Sequence, residues 1–382
     1  MDCLGKTGYE SRQVNNAGVR RFITWEVWPR VTNFTETGDM NMFMNKAALT
    51  AGMAAAFMLA TAGGASAFTA CQVTDVGGID DAGFNQTAWK GVQDAMAAYG
   101  IEGRYLESQS ETDYEPNLNS LIESKCDVIV SVGFLMGDAT KTSAEANTGQ
   151  KYSIVDFAYD PTIPNVIGQV YATNEAGFLA GYLSAGMSKS GVVGTFGGIN
   201  IPPVTAFMDG YYYGVAYHNS QKGTNVQVLG WNPASKEGLF TGNFESLDDG
   251  RAFAQNLYDE GADIVMPVAG PVGLGSAALA DELGSDALMI VGVDADQTQT
   301  DPDRAHVYLT SVLKRMDSTV MQVIKQAMDG SFSGGILLGN LKNDGVGLAP
   351  YHHFDDKVPA ALKAEVEEVR DGLISGAISA GG

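Results

Sequence analysis

Between residues 70 and 293, short apolar runs alternate with longer stretches in which apolar residues recur every three or four positions. The short runs are apolar along their length, not at every second position. Strands of that kind are covered on both faces, which parallel strands between helices achieve. The pattern therefore defines an α/β protein. Strand-type runs are read at 70–76, 105–106, 127–132, 154–157 and 166–171, with helices over 84–99 and 117–125. The rhythm then restarts. A helix over 174–189 leads into strand-type runs at 191–196, 226–229, 264–266 and 288–293, with helices at 204–219, 248–260 and 277–283. Two successive open α/β units fit two Rossmann-like lobes. No low-complexity linker separates them, so a shared cleft is expected over independent beads.

The N-terminus stands outside this rhythm. Lys46 supplies a positive start, 47–62 is an uncharged small-residue apolar run, and Ala65-Ser66-Ala67 makes an A-x-A cleavage site. This is the anatomy of a secretory signal over 40–67. The apolar run is shorter than the ~20 residues a spanning helix needs. Methionines at 40, 42 and 44 could each start the signal, so 1–39 reads as a start placed too early. The expected mature chain begins at Phe68, is free in the periplasm, and inserts into no membrane. Membrane anchoring as a lipoprotein is the alternative, with Cys71 as the candidate, although Phe68-Thr69-Ala70 is a poor lipid signal.

Charge narrows the partners. The chain carries 45 acidic and 23 basic residues, a net −22. The first 67 residues hold six basic and five acidic side chains, so the remaining 315 residues stand at −23. A field of that sign repels phosphate backbones and anionic membrane surfaces, which excludes nucleic acid as a partner. Beyond residue 67 the cysteines are Cys71 and Cys126. In an exported protein an even pair invites a disulfide, with two buried free thiols as the other reading.

In open α/β sheets, ligands lie beyond the carboxyl ends of strands. That rule singles out Asp75 with Gly77-Gly78, Gly133-Phe134, Asp156-Phe157, Gly197-Gly198, Ala269-Gly270 and Asp294. The densest segment is 74–86, where Asp80, Asp81 and Asn85 can serve hydroxyls or helix-start amides and Phe84 offers an aromatic face. Its plainer reading is a helix cap. Gly191-x-x-Gly-x-x-Gly197 has dinucleotide spacing only, because its glycines run through a strand, so no cofactor is expected. His352-His353 reads as a surface pair, and no metal site is expected. Lys314 follows a strand, where a surface lysine is the default reading. No nucleophile elbow and no coherent Ser/His/Asp or Cys/His set is present.

Six segments together resemble the BMP (basic membrane protein, PnrA-like) family of ABC-transporter substrate-binding proteins. They are VTDVGGIDDAGFNQTAWKGV at 73–92, IVDFAYD at 154–160, GGINIPPVTAFMDGYYYGV at 197–215, VMPVAGPVGLG at 265–275, VGVDADQ at 291–297 and TSVLKRMD at 310–317. The likeness is to the subgroup that binds purine nucleosides. It implies a type I periplasmic-binding-protein fold, two lobes joined by a hinge of three crossings. Lobe 1 is expected over 68–172 with about 297–333, and lobe 2 over 173–296 with about 334–382. It also implies roles: Phe84 and Phe207 sandwich a purine, Asp81 and Asn85 meet the base edge, and Asp156, Asp294 and Lys314 hold ribose hydroxyls beside the Gly270 backbone. Implied partners are an adenosine, guanosine or inosine type of nucleoside, and the permease and ATPase of an importer, with the receptor a monomer. Within the same fold a sugar or autoinducer is the alternative ligand. An exported α/β enzyme is the third possibility.

Overall fold

The computed structural model describes residues 67–381. The expected early start at 1–39 and all but the last residue of the expected signal at 40–67 lie on residues 1–66, outside the described residues. The first lobe opens with β1 (Thr69–Thr74), α1 (Phe84–Tyr99), β2 (Glu102–Leu106), α2 (Tyr114–Glu123), β3 (Val128–Val132), α3 (Gly137–Ala146), β4 (Lys151–Val155) and β5 (Val166–Tyr171). Every residue of β1 and β3 is buried, as strands without alternation require.

The chain then crosses into α4 (Thr173–Met187), β6 (Val192–Gly197), α5 (Pro202–Lys222) and β7 (Gln227–Leu229). A short hairpin, β8 (Trp231–Asn232) with β9 (Glu237–Gly238), precedes α6 (Leu247–Asp259), β10 (Ile264–Val268), α7 (Val272–Leu283) and β11 (Met289–Asp294). A one-turn helix α8 (Gln297–Thr300), β12 (Tyr308–Lys314), α9 (Met316–Asp329), β13 (Gly335–Gly339), β14 (Val346–Leu348) and α10 (Ala360–Ser375) complete it.

Two six-stranded sheets result, ordered β13-β5-β4-β3-β1-β2 and β14-β12-β11-β10-β6-β7. Position by position they match: β1 with β6, β3 with β10, β4 with β11, β5 with β12. All neighbours are parallel except the β12–β14 pair.

Three crossings join the lobes, at 171–173, 314–316 and 339–346. They are bonded to one another: Ala172 N–H donates to Gly339 O at 2.8 Å and Arg315 N–H to Gly345 O at 3.0 Å. Sheet membership corrects the expected lobe boundaries. β12, within the 297–333 segment assigned to lobe 1, pairs with β11 in the second sheet, and β13, assigned to lobe 2, pairs with β5 in the first. The crossings are only a few residues long, so a strand beside one can join either sheet, and the run of apolar residues does not say which.

Helices α4 and α5 pack backbone to backbone, because side chains at the contact are missing. A Cβ on Gly181 would overlap the Tyr211 carbonyl, and one on Gly214 the Phe178 carbonyl. This close approach buries α4 on nearly all sides and seats Phe207, which is 2% exposed. Cys71, fully buried in β1, is bonded to Cys126, which precedes the neighbouring β3. Its sulfur is therefore engaged in that bond. Among the described residues no helix is long and apolar enough to cross a membrane.

Candidate functional site

The carboxyl ends of both sheets face one cavity, partly open to solvent. Asp81, Phe84, Asn85, Asp156, Phe207, Gly270, Asp294 and Lys314, the eight residues singled out in the sequence, all line it.

The electrostatic centre is Lys314, the last residue of β12 and 3% exposed. Its Nζ donates to Asp156 Oδ2 at 2.7 Å, across the cleft, and lies 3.4 Å from Asp294 Oδ1 of its own lobe. Burial alone would lower the lysine's pKa, but the two carboxylates outweigh burial and raise it. Asp156 and Asp294 stand just past β4 and at the end of β11, matched positions of the two sheets. Both adopt left-handed backbone, with φ of +66° and +67°. For a residue with a Cβ this costs about 1–2 kcal/mol, so packing must hold both carboxylates there. Burial raises the pKa of Asp294 against the opposing pull of Lys314. Its Oδ1, though within ion-pair distance of the ammonium, makes no hydrogen bond.

Two aromatic rings flank this centre. The ammonium lies 4.9 Å from the ring centroid of Phe84, the first residue of α1, and 5.1 Å from that of Phe207 on α5. Both distances are within cation–π range. The rings belong to different lobes. Phe134 and Leu135, from the loop after β3, and Ile201, Pro203, Val204 and Phe244 from the second lobe extend the apolar wall.

At the other end of the cavity stand Asp75, Asp81 and Asn85. Asp81 is already committed as a cap. Its Oδ1 accepts the N–H groups of Gly83 and Gln86, both at 3.0 Å, and its Oδ2 accepts that of Asn85 at 2.8 Å. Burial raises its pKa to about 6, those amides opposing the shift. The carboxyl beside Asn85 is that of Asp75, at the end of β1. Asn85 Nδ2 donates to Asp75 Oδ1 at 3.3 Å, and Asn85 Oδ1 is buried without a partner. Burial pushes the Asp75 pKa well above the ordinary value, with the Asn85 hydrogen bond opposing. Only a glycine fits at position 133, because a Cβ there would overlap the Asp75 carboxyl. The strand-end rule picks out Asp75, whereas the family resemblance points to Asp81.

Among the described residues no cluster of three His, Cys, Asp or Glu is placed to hold a metal ion. Four carboxyls against one lysine disfavour an anion. Two aromatic faces, a buried cation and two acceptors without a hydrogen bond suit a small neutral ligand with hydroxyl or N–H donors.

A two-lobed α/β chain with a cavity in its cleft is an architecture that solute-binding proteins use. Residues 68–379 match the family described as ABC transporter substrate-binding protein, PnrA-like, and the chain belongs to that family, whose members bind solutes for ABC transporters and are not enzymes. It is 32% identical over 327 residues to the CD4+ T-cell-stimulating antigen of Listeria monocytogenes, covering 81% of this chain and 87% of that one. It is 30% identical over 323 residues to the ABC transporter nucleoside-binding protein BmpA of Lactococcus lactis, covering 80% and 87%. Among solved structures, an ABC transporter solute-binding protein of Aeropyrum pernix superposes with a TM-score of 0.74 at 27% identity, covering 82% of this chain and 92% of that chain.

Proposed function

We propose that this chain is an exported receptor, its signal removed near Ala67, that binds a purine nucleoside in the cleft and delivers it to the permease and ATPase of an importer. One observation carries the reading. Two phenyl rings from opposite lobes share a cavity with two buried acceptors that accept no hydrogen bond, Asn85 Oδ1 and Asp294 Oδ1, the latter 3.4 Å from the Lys314 ammonium. A nucleoside supplies what each element wants. Its flat base takes the phenyl faces, a base N–H meets Asn85 Oδ1, and ribose hydroxyls donate to Asp294 and Asp156. Lys314 donates to a ribose oxygen and offsets the carboxylates. Asp75 joins Asn85 at the base edge and Gly270 contributes backbone. The nucleoside-binding relative in Lactococcus lactis supports the same ligand class. Without a phosphate, the ligand escapes the repulsion that four carboxyls would impose.

Calorimetric titration with adenosine, guanosine and inosine tests the reading. Binding of at least one at micromolar concentration is expected. Stacking on an aromatic ring is worth about 1–3 kcal/mol per base, so Phe207→Ala should weaken it about 5- to 150-fold. No binding to any of the three, with uptake of a free sugar instead, would refute it.

A further inference from the structure

Apart from the hinge, two side-chain hydrogen bonds join the lobes among the described residues. One is Lys314 to Asp156, inside the cavity. The other is remote from the ligand groups: Thr300 Oγ1, at the end of α8, donates to the carbonyl of Ala82 in the β1–α1 turn at 2.7 Å. Neither Thr300 nor Ala82 lines the cavity. Both are tied to residues that do. Ala82 sits between Asp81 and Gly83, just before Phe84 and Asn85, and holds φ at +54°. A non-glycine residue avoids that conformation unless its surroundings enforce it, and here it accompanies a carbonyl engaged by the other lobe. Thr300 is held as firmly. Its N–H donates to Asp296 O at 3.2 Å, and the Asp296 carboxylate accepts from Thr298 N at 3.3 Å, Thr298 Oγ1 at 2.6 Å, Gln299 Nε2 at 2.8 Å and His352 Nε2 at 2.8 Å. Asp296 follows Asp294 by two residues.

We infer that Thr300 is a positioning residue, a clasp between the β1–α1 turn of one lobe and the Asp294 segment of the other, which favours the closed cleft and sets how long a ligand stays. The inner bridge of Lys314 and Asp156 must share its partners with any ligand hydroxyl. The Thr300 bond shares nothing with the ligand, so it acts on closure alone. This inference rests on the cleft being the ligand site, and its test is arranged to stand without a nucleoside.

Thr300→Val removes the hydroxyl and keeps the shape, while Thr300→Ser keeps the hydroxyl. In the protein without added ligand, the valine variant should exchange the amide hydrogens of Gly83 to Gln86 faster and show a larger radius of gyration by small-angle scattering. The serine variant should match wild type. A neutral hydrogen bond is worth a factor of about 2–10 in an equilibrium constant, which sets the expected change in exchange. With inosine as probe, stopped-flow release should quicken by a similar factor while association stays nearly unchanged. Should valine unfold the chain, Thr300→Ala makes the same deletion. Equal exchange and equal scattering for wild type and the valine or alanine variant would overturn the clasp. Failure of wild type to bind inosine, adenosine or guanosine would overturn the nucleoside reading, while exchange and scattering would still decide for or against the clasp.

Discussion

Replacing Lys314 by methionine should convert the centre of the cleft from the best-compensated part of the molecule into the worst. With an effective dielectric constant of 20, a unit charge pair at 2.7 Å attracts by about 6 kcal/mol, and one at 3.4 Å by about 5 kcal/mol. Much of that gross attraction offsets the cost of burying the ions. What remains visible on deleting one partner of a buried pair is about 3–5 kcal/mol, because the other charge stays buried and uncompensated. Here two carboxylates are left, Asp156 and Asp294, and they repel each other. Asp294, whose pKa burial already raises, can escape by taking up a proton, so that pKa should rise further in the variant. The folded variant then binds more protons than its unfolded chain, and its stability should recover as pH falls. Urea unfolding at pH 8 should show the full loss of about 3–5 kcal/mol, and at pH 5 distinctly less. Adding Asp156→Asn to the variant should recover part of the loss at pH 8. Loss of equal size at both pH values, or no loss, would refute the idea that Lys314 is held in place by charge. Nucleoside binding should be lost in calorimetry at either pH.

Three further outcomes are expected. Asp81 has its pKa raised to about 6 in the fold, so between pH 4 and 6 the native state holds a proton that the unfolded chain has released. This group should lower stability by about 3 kcal/mol as pH rises through that window, with no further change above it, and Asp75 acts in the same direction; thermal unfolding at pH 5 and 7.5, in wild type and Asp81→Asn, measures it. Gly214→Ala should cost about 3 kcal/mol or more in urea unfolding, since its methyl group meets a helix carbonyl that cannot move aside. Reduction of the Cys71–Cys126 bond, which closes a loop with a sequence separation of 55, should lower stability by about 4 kcal/mol, read as a shift in the urea midpoint with and without reductant.

The α/β class was legible because strands such as β3 and β11 are buried along their whole length and carry almost nothing polar. Helix α3 was invisible for the opposite reason: its buried face is made of Ala139, Thr140, Ser143 and Ala144, too small and polar to give a periodic signal. Helix α10 did carry a signal, with Leu362, Val366, Val369 and Leu373 on its buried face, but it lies beyond the region where the strand rhythm stops. At the site, strand ends located Asp75, Asp156 and Asp294, because such positions follow from topology. The division of labour between Asp75 and Asp81 could not be read. It depends on which carboxyl the turn at 81–86 consumes in capping α1, a matter of backbone direction and not of residue type. Phe244 and Ile201 escaped notice because loop residues reach the cleft only through the folding of their lobe.

The matched sheets have one consequence for the symmetry of the cleft. Asp156 and Asp294 are counterparts, so the two halves offer the same acid group from opposite sides. At the neighbouring matched position the halves differ: β12 ends in Lys314 and β5 in Tyr171, whose hydroxyl is engaged with Thr319 at 2.5 Å. A receptor built on a duplicated plan would otherwise accept a molecule either way round. Lys314 is the one basic side chain among the described residues that line the cavity, and it is anchored in a single half, so the cleft is polarised between its two lobes.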